Sequence, residues 1–193
     1  MKTTINMKNG SQIIILRGSV TGQKVCAIVN AANSTLLGGS GVDGEIHQEA
    51  GPKLLEECRS LGGCPVGMAK VTGAYDLTNA KYIIHAVGPV YHGTDEDRDL
   101  LRSAYQNALE RALEKDCRSV AFPCISAGVF GYPLPEASRI AILAVYDWLK
   151  EHPERVMEIR LCCYRDNEFD TWLAVVEQLL KSQKMIDSMP EES

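Results

Sequence analysis

The chain has 193 residues, 45% hydrophobic and 23% charged, a balance that fits a soluble globular protein and excludes the disordered and fibrous classes. A chain of this length buries roughly 70% of the surface its unfolded form exposes, enough for one core without disulfide or metal staples. Twenty Lys and Arg against twenty-five Asp and Glu leave a net charge of -5, which argues against broad electrostatic binding of nucleic acid.

Seven cysteines occur with no CxxC and no histidine cluster nearby, so neither a disulfide framework nor a zinc site is expected, and all seven read as reduced thiols. The N-terminal stretch lacks the long apolar core of a signal peptide. No run approaches the roughly 18 apolar residues of a membrane span. A cytoplasmic protein without membrane association is the expectation.

In chain order, Thr3 to Met7 and Gln12 to Leu16 flank Asn9-Gly10, a dipeptide suited to a tight hairpin turn, so the chain opens with two strands. Val25 to Asn30 is a short, nearly all-apolar run, as in a strand covered on both faces. A loop rich in Asn and Gly follows to Gly44. From Val42 to Ser60 the pattern is helical, split by Gly51-Pro52 because proline suits a first helical turn and not an interior. Strands are predicted at Ala69 to Tyr75, Lys81 to Val87, Ser119 to Cys124 and Met157 to Tyr164. Helices are predicted at Asp97 to Lys115, Leu134 to Lys150 and Asn167 to Lys181. Alternating strands and helices imply a three-layer α/β/α sandwich. A single domain over 1–182 and a flexible tail over 183–193 are expected.

In open α/β sheets ligands bind beyond the carboxyl ends of strands, and two connections there are glycine-dense. Asn30 to Gly44 leads straight into the helix carrying His47, and Ile125 to Pro133 carries two glycines, Ser126 as a possible donor, and two aromatics. Glycines let backbone approach an anion, and the start of a helix supplies free N–H groups with roughly +0.5 charge. Two such loops could clamp a diphosphate without Lys or Arg. Gly39 to Gly44 fits GxGxxG, but its first glycine stands well past the strand end and no acidic residue closes a second strand, so a Rossmann site is disfavoured. The GxSxG elbow and the Walker lysine are absent. His85, inside an apolar strand, reads as a satisfied core histidine, and Cys124 as a packing residue rather than a nucleophile.

Four segments carry a family resemblance: Ala27-Ile-Val-Asn-Ala-Ala-Asn33, Gly38-Gly-Ser-Gly-Val-Asp-Gly44, His85-Ala-Val-Gly-Pro89, and Ala121-Phe-Pro-Cys-Ile-Ser-Ala-Gly-Val-Phe-Gly-Tyr-Pro133. In that order they resemble the macrodomain family, and more narrowly the bacterial MacroD-type O-acetyl-ADP-ribose deacetylases and mono-ADP-ribosylhydrolases. The resemblance implies a mixed, mostly parallel six-stranded sheet with an ADP-ribose cleft across its top. Ser126, Ala127, Gly128, Val129 and Phe130 would hold the diphosphate, with Gly41 and Val42 approaching from the other side. Asn33 would bond the distal ribose, and Asp43 would lie beside the anomeric carbon to position or deprotonate the attacking water. Ser19 and Val20 would line the base end, and Tyr164 would stack on adenine.

Each residue has a plainer reading too. Asp43 could simply cap the helix, Asn33 could serve its turn, and Tyr164 could be a core tyrosine. A helix start also favours ionised Asp43, a weak base near neutral pH, so help from a substrate phosphate is expected. Family members carry Gly-Asp-Ile-Thr where this chain has Gly18-Ser-Val-Thr21. The acceptor for the adenine amino group thus becomes Ser19, which predicts weaker affinity or relaxed base preference, and a gain in affinity for Ser19→Asp. Ser40 replaces a fourth glycine and would restrict φ there. No cofactor or metal is called for. The implied activity is hydrolysis of ADP-ribose esters, with mono-ADP-ribosylated proteins or O-acetyl-ADP-ribose as substrates. The alternatives are a reader that binds ADP-ribose without turnover and, disfavoured by charge, an RNA-associated regulator.

Overall fold

The first hairpin forms where the Asn9-Gly10 turn directs it. In the computed structural model, which describes residues 1–182 and 189–191, β1 (Lys2–Asn6) and β2 (Gln12–Arg17) pair antiparallel with Ile5 opposite Ile13. Gly10 turns the chain at a φ of 94°, open to glycine at no steric cost. A short 3-10 turn (Val20–Gly22) leads to β3 (Ala27–Ala32), the two helices α1 (Gly41–Ala50) and α2 (Pro52–Leu61), then β4 (Ala69–Gly73) and β5 (Tyr82–Val87). Next come α3 (Asp95–Glu114), β6 (Ser119–Phe122), α4 (Leu134–Glu151), β7 (Glu158–Cys163), α5 (Asp166–Lys181) and β8 (Met189–Glu191). The split between α1 and α2 falls at Gly51, with φ 84°, and Pro52 occupies the first turn of α2.

One sheet of order β4-β5-β3-β6-β7-β2-β1-β8 holds these strands. The run from β5 to β2 is parallel throughout, β4 is antiparallel at one edge, and β1 and β8 are antiparallel at the other. The sheet therefore has eight strands where six were expected, because β1 and β8 extend the edge beyond β2. The rest of the segment expected to be a flexible tail, 183–188 and 192–193, lies outside the described residues.

The alternation of β3 explains the layers. Ala27 and Val29 point to a large core with Leu101, Tyr105, Val145, Trp148 and Trp172 of α3, α4 and α5. Ile28 and Ala32 point the other way, to Ile46 of α1 and Leu54 of α2. The α/β/α sandwich is thus in place. Among the described residues no helix is long and apolar enough to cross a membrane.

The cysteines need one correction. Cys26 and Cys117 are disulfide-bonded across a sequence separation of 91, with Cα atoms 5.5 Å apart, while Cys58, Cys64, Cys124, Cys162 and Cys163 are free. Cys26 precedes β3 and Cys117 precedes β6, and Ala27 pairs with Val120. Strand pairing brings the two sulfurs together, which their spacing in sequence does not reveal.

Candidate active site

The carboxyl ends of the central strands open onto a cleft of about 650 Å³ between the β3–α1 and β6–α4 loops. The first loop ends in a helix start that no side chain closes. Ser40 occupies the N-cap position but makes no side-chain cap bond, and Ser40, Gly41 and Val42 all line the cleft. The first backbone N–H groups of α1 therefore have no side-chain cap and face the cleft. At α3, by contrast, Thr94 and Asp97 form a capping box that satisfies the corresponding groups. Ser40 is extended, at φ -96° and ψ -179°, so the expected restriction from replacing glycine does not arise there. The turn falls on Gly41, at φ +62°.

The second loop offers its backbone in the same way. The Tyr132 amide donates to the Ser126 carbonyl at 2.9 Å and the Gly131 amide to the Gly128 carbonyl at 3.0 Å, which curls the loop. The amides of Gly128, Val129 and Phe130 make no hydrogen bond to any described residue. Val129 is 87% exposed and Phe130 lines the cleft. Ser126 differs from expectation in one respect: its hydroxyl donates to the Pro89 carbonyl at 2.8 Å, so only its backbone can serve a ligand. Ser126 also sits at φ +64°, a region few side chains adopt. The Pro89 bond holds it there against the β5 end.

Asp43 does not cap the helix. It lies in the first turn of α1, 4% exposed, and its Oδ1 accepts from Asn30 Nδ2 at 2.8 Å. His47 Nε2, one turn on, stands 3.4 Å from the same oxygen. The other oxygen, Oδ2, faces Gly39, where an added Cβ would stand 3.0 Å from it and 3.5 Å from Asn33 Nδ2. Burial pushes the Asp43 carboxyl above its ordinary range, opposed by the Asn30 bond and by His47. The expected weakening of this base by the helix start is therefore countered.

Behind Asp43 runs a polar chain that the sequence did not suggest. Parallel pairing sets Asn30 of β3 beside His85 of β5, and Asn30 Nδ2 lies 3.1 Å from His85 Nδ1. Thr72 Oγ1 donates to the Gly73 carbonyl at 3.0 Å, so at 2.9 Å it can only accept from His85 Nε2. That assigns the proton to Nε2 and leaves Nδ1 to accept from Asn30. His85 is the satisfied core histidine expected, and burial, with His47 second, holds its pKa down to about 3. Because the folded value lies below the ordinary 6.5, the unfolded chain binds the proton first, and stability falls as pH drops from 6.5 toward 3. Urea denaturation across that range should show the slope, and His85→Gln should flatten it. His85→Leu, which strands Asn30 and Thr72, should lower stability by about 3 kcal/mol in the same measurement.

The remaining expected residues are placed as follows. Asn33 ties its own loop: Nδ2 donates to the Gly38 carbonyl at 3.0 Å, and Oδ1 accepts from the Thr35 amide and hydroxyl. One Asn33 amide proton remains, and Asn33 Nδ2 shares the Gly39 side of the loop with Asp43 Oδ2. Val20 is 2% exposed in the α1/α2 core and does not line the cleft, and Asn33 and Asp43 stand behind its glycine-loop wall rather than in its lining, whereas Ser19 and Ala127 line it. Tyr164 is 61% exposed at the end of β7, which rules out a core role. Cys124 reaches the cleft wall, but Cys163, burial and Glu168 push its thiol well above the ordinary range, so it is no nucleophile. Sequence reasoning missed Asn30 and His47; the signals that point to them are an amide inside an apolar run and a position one helical turn beyond Asp43.

Comparison with known proteins agrees with this geometry. The Macro domain family model matches residues 29–141. The chain is 48% identical over 168 residues to a Macro domain-containing protein of Chlorobaculum tepidum, covering 86% of this chain and 96% of the relative. It is 48% identical over 159 residues to the ADP-ribose glycohydrolase MACROD1 of Bos taurus, covering 81% of this chain and 49% of the relative, so it spans about half that protein's length. Among solved structures, the Oceanobacillus iheyensis macrodomain with ADP superposes with a TM-score of 0.89 at 34% identity, covering 94% of this chain and 98% of that one. The Trypanosoma brucei macrodomain in complex with ADP-ribose gives 0.80 at 43% identity, covering 85% and 68%. A sandwich with two backbone cradles at the carboxyl edge of its sheet defines the class, and the chain belongs to the Macro domain family.

Proposed function

We propose that the protein is a hydrolase of ADP-ribose esters, removing mono-ADP-ribose from acidic side chains of proteins and acetate from O-acetyl-ADP-ribose. Asp43 carries this reading: a buried carboxylate with one oxygen held by Asn30 and the other turned to the glycine loop, beside two sets of free backbone amides. The diphosphate sits between the amides of Gly41 and Val42 and those of Gly128 to Phe130, with Ser126 and Ala127 shaping the wall beside it, and the distal ribose reaches Asn33 and Asp43. Phe130 covers the ribose and Tyr164 stacks on the base. Relatives named for ADP-ribose hydrolysis and neighbours holding ADP or ADP-ribose support it.

In the reaction, Asp43 Oδ2 orients a water against the anomeric carbon. Its oxygen bonds to that carbon as the bond to the acceptor's carboxylate oxygen breaks, and the acceptor leaves as an anion. The water's proton passes to Oδ2 or to a substrate phosphate oxygen; the raised Asp43 makes the first route easier than an ordinary aspartate would. For the acetyl ester the same water attacks the acetyl carbonyl, the bond from that carbon to the ribose oxygen breaks, and the proton taken by Oδ2 passes to the ribose oxygen as acetic acid leaves and ionises to acetate.

Incubation with a glutamate-modified acceptor is expected to release free ADP-ribose, and O-acetyl-ADP-ribose to lose acetate, both followed by chromatography. Tight binding of ADP-ribose with neither product would instead make the protein a reader.

A further inference from the structure

The base end of the cleft holds a carboxylate that the Gly18-Ser-Val-Thr21 segment does not supply. Ser19 caps the 3-10 turn, its Oγ accepting from the Thr21 amide at 3.3 Å. Its proton goes to Glu45 Oε1 at 3.0 Å, and Thr21 Oγ1 donates to the same oxygen at 2.7 Å. A carboxylate can only accept, so both hydroxyls are oriented by it. Glu45 Oε2 makes no hydrogen bond to any described residue, and Glu45 and Ser19 both line the cleft. Glu45 stands two residues beyond Asp43 on α1, roughly 200° around the helix. One helix start therefore turns Asp43 inward to Asn30 and Glu45 toward the Ser19 turn.

An anionic acceptor at the end of a cleft whose middle is built for a diphosphate repels phosphate, so what meets it must carry a hydrogen-bond donor. In an ADP-ribose ligand lying across the two amide cradles, the part with such a donor at its edge is the base. Adenine presents an exocyclic amine there. Hypoxanthine presents a carbonyl oxygen at the same position, which would face the lone pairs of Oε2.

We infer that Glu45 determines base specificity: its Oε2 accepts from the exocyclic amine of adenine, while Ser19 and Thr21 hold the carboxylate in place through Oε1. This rests on the ADP-ribose reading above. It also reverses the expected sign for position 19. Ser19 is a donor to a carboxylate delivered from α1, so Ser19→Asp would set two carboxylates at hydrogen-bonding distance and lower ADP-ribose affinity.

Calorimetry on the full chain, with ADP-ribose and with its hypoxanthine counterpart inosine diphosphate ribose, tests the inference. Wild type should favour ADP-ribose by about tenfold or more. Glu45→Gln, whose amide can turn a donor toward the carbonyl, should bring the ratio below about threefold, and Glu45→Ala should weaken ADP-ribose while leaving the ratio near one. Thermal melting of both variants establishes that they are folded. A folded Glu45→Gln with the full wild-type preference would overturn the inference, as would a wild type binding both nucleotides equally. Failure of wild type to bind either one would instead overturn the ADP-ribose reading.

Discussion

Asp43→Asn is expected to slow release of ADP-ribose from a glutamate-modified acceptor by about 100-fold, the range for loss of a positioned base, while ADP-ribose affinity in calorimetry stays within about threefold. Asparagine keeps the shape and can still accept from Asn30 through its carbonyl, so the α1 start and its amides stay in place. What it loses is the ability to take the water's proton. Activity that survives the substitution would assign the proton to the substrate phosphate alone. The raised Asp43 carboxyl also sets the acid side of the pH profile, because rate falls as this group protonates. That limb should lie above the ordinary value of 3.8 and vanish in the asparagine variant.

The same substitution acts on stability with a definite sign. A carboxyl whose folded pKa is raised binds its proton more tightly in the folded state, so its stabilising effect is present at low pH and is lost as pH rises through the folded value. At neutral pH the ionised, buried Asp43 therefore strains the fold, and Asp43→Asn should melt higher than wild type. A carboxylate kept at a loss to stability is what a catalytic group looks like. A lower melting temperature would show that Asp43 contributes to the fold instead.

Gly88→Ala should abolish most nucleotide affinity, by tenfold or more in calorimetry, and lower the melting temperature by about 5 °C, the effect of roughly 2 kcal/mol in a chain of this size. Gly88 ends the β5 side of the cleft, and an added Cβ would stand 2.5 Å from Ile125 Cγ2 and far inside contact of Ser126 Oγ. Neither neighbour yields cheaply. Ile125 is buried, and Ser126 is held at positive φ with its hydroxyl on Pro89. The methyl group would push the second loop off the diphosphate position. Unchanged affinity and melting would mean that the loop is free to adjust, and that its curl is not what presents the amides.

The helices and central strands fall within a few residues of their predicted places because each has a local cause. Gly51 and Pro52 break one helix into two, and the apolar spacing from Leu101 to Ala112 buries one face of α3. Both glycine loops were visible for the same reason: chain reversal and close approach to an anion need glycine at particular positions. The side chains that serve the site were less visible. Asn33 and Asp43 came from motif position, and the contacts of Asp43 with Asn30 and His47 came only with the fold.

From its residues alone this chain specified alternating strands and helices, two backbone cradles and the family they resemble, all of which follow from patterns within a dozen or so neighbours. The tertiary structure decided which distant residues meet. Parallel register sets Asn30 beside His85, strand order joins Cys26 to Cys117, and the turn at Ser19 meets Glu45 of α1. Those meetings depend on sheet order and on the rotation of a helix about its axis, and chain spacing does not encode either one. A serine that reads in sequence as a lost acceptor thus becomes, once folded, the donor that holds a carboxylate in its place.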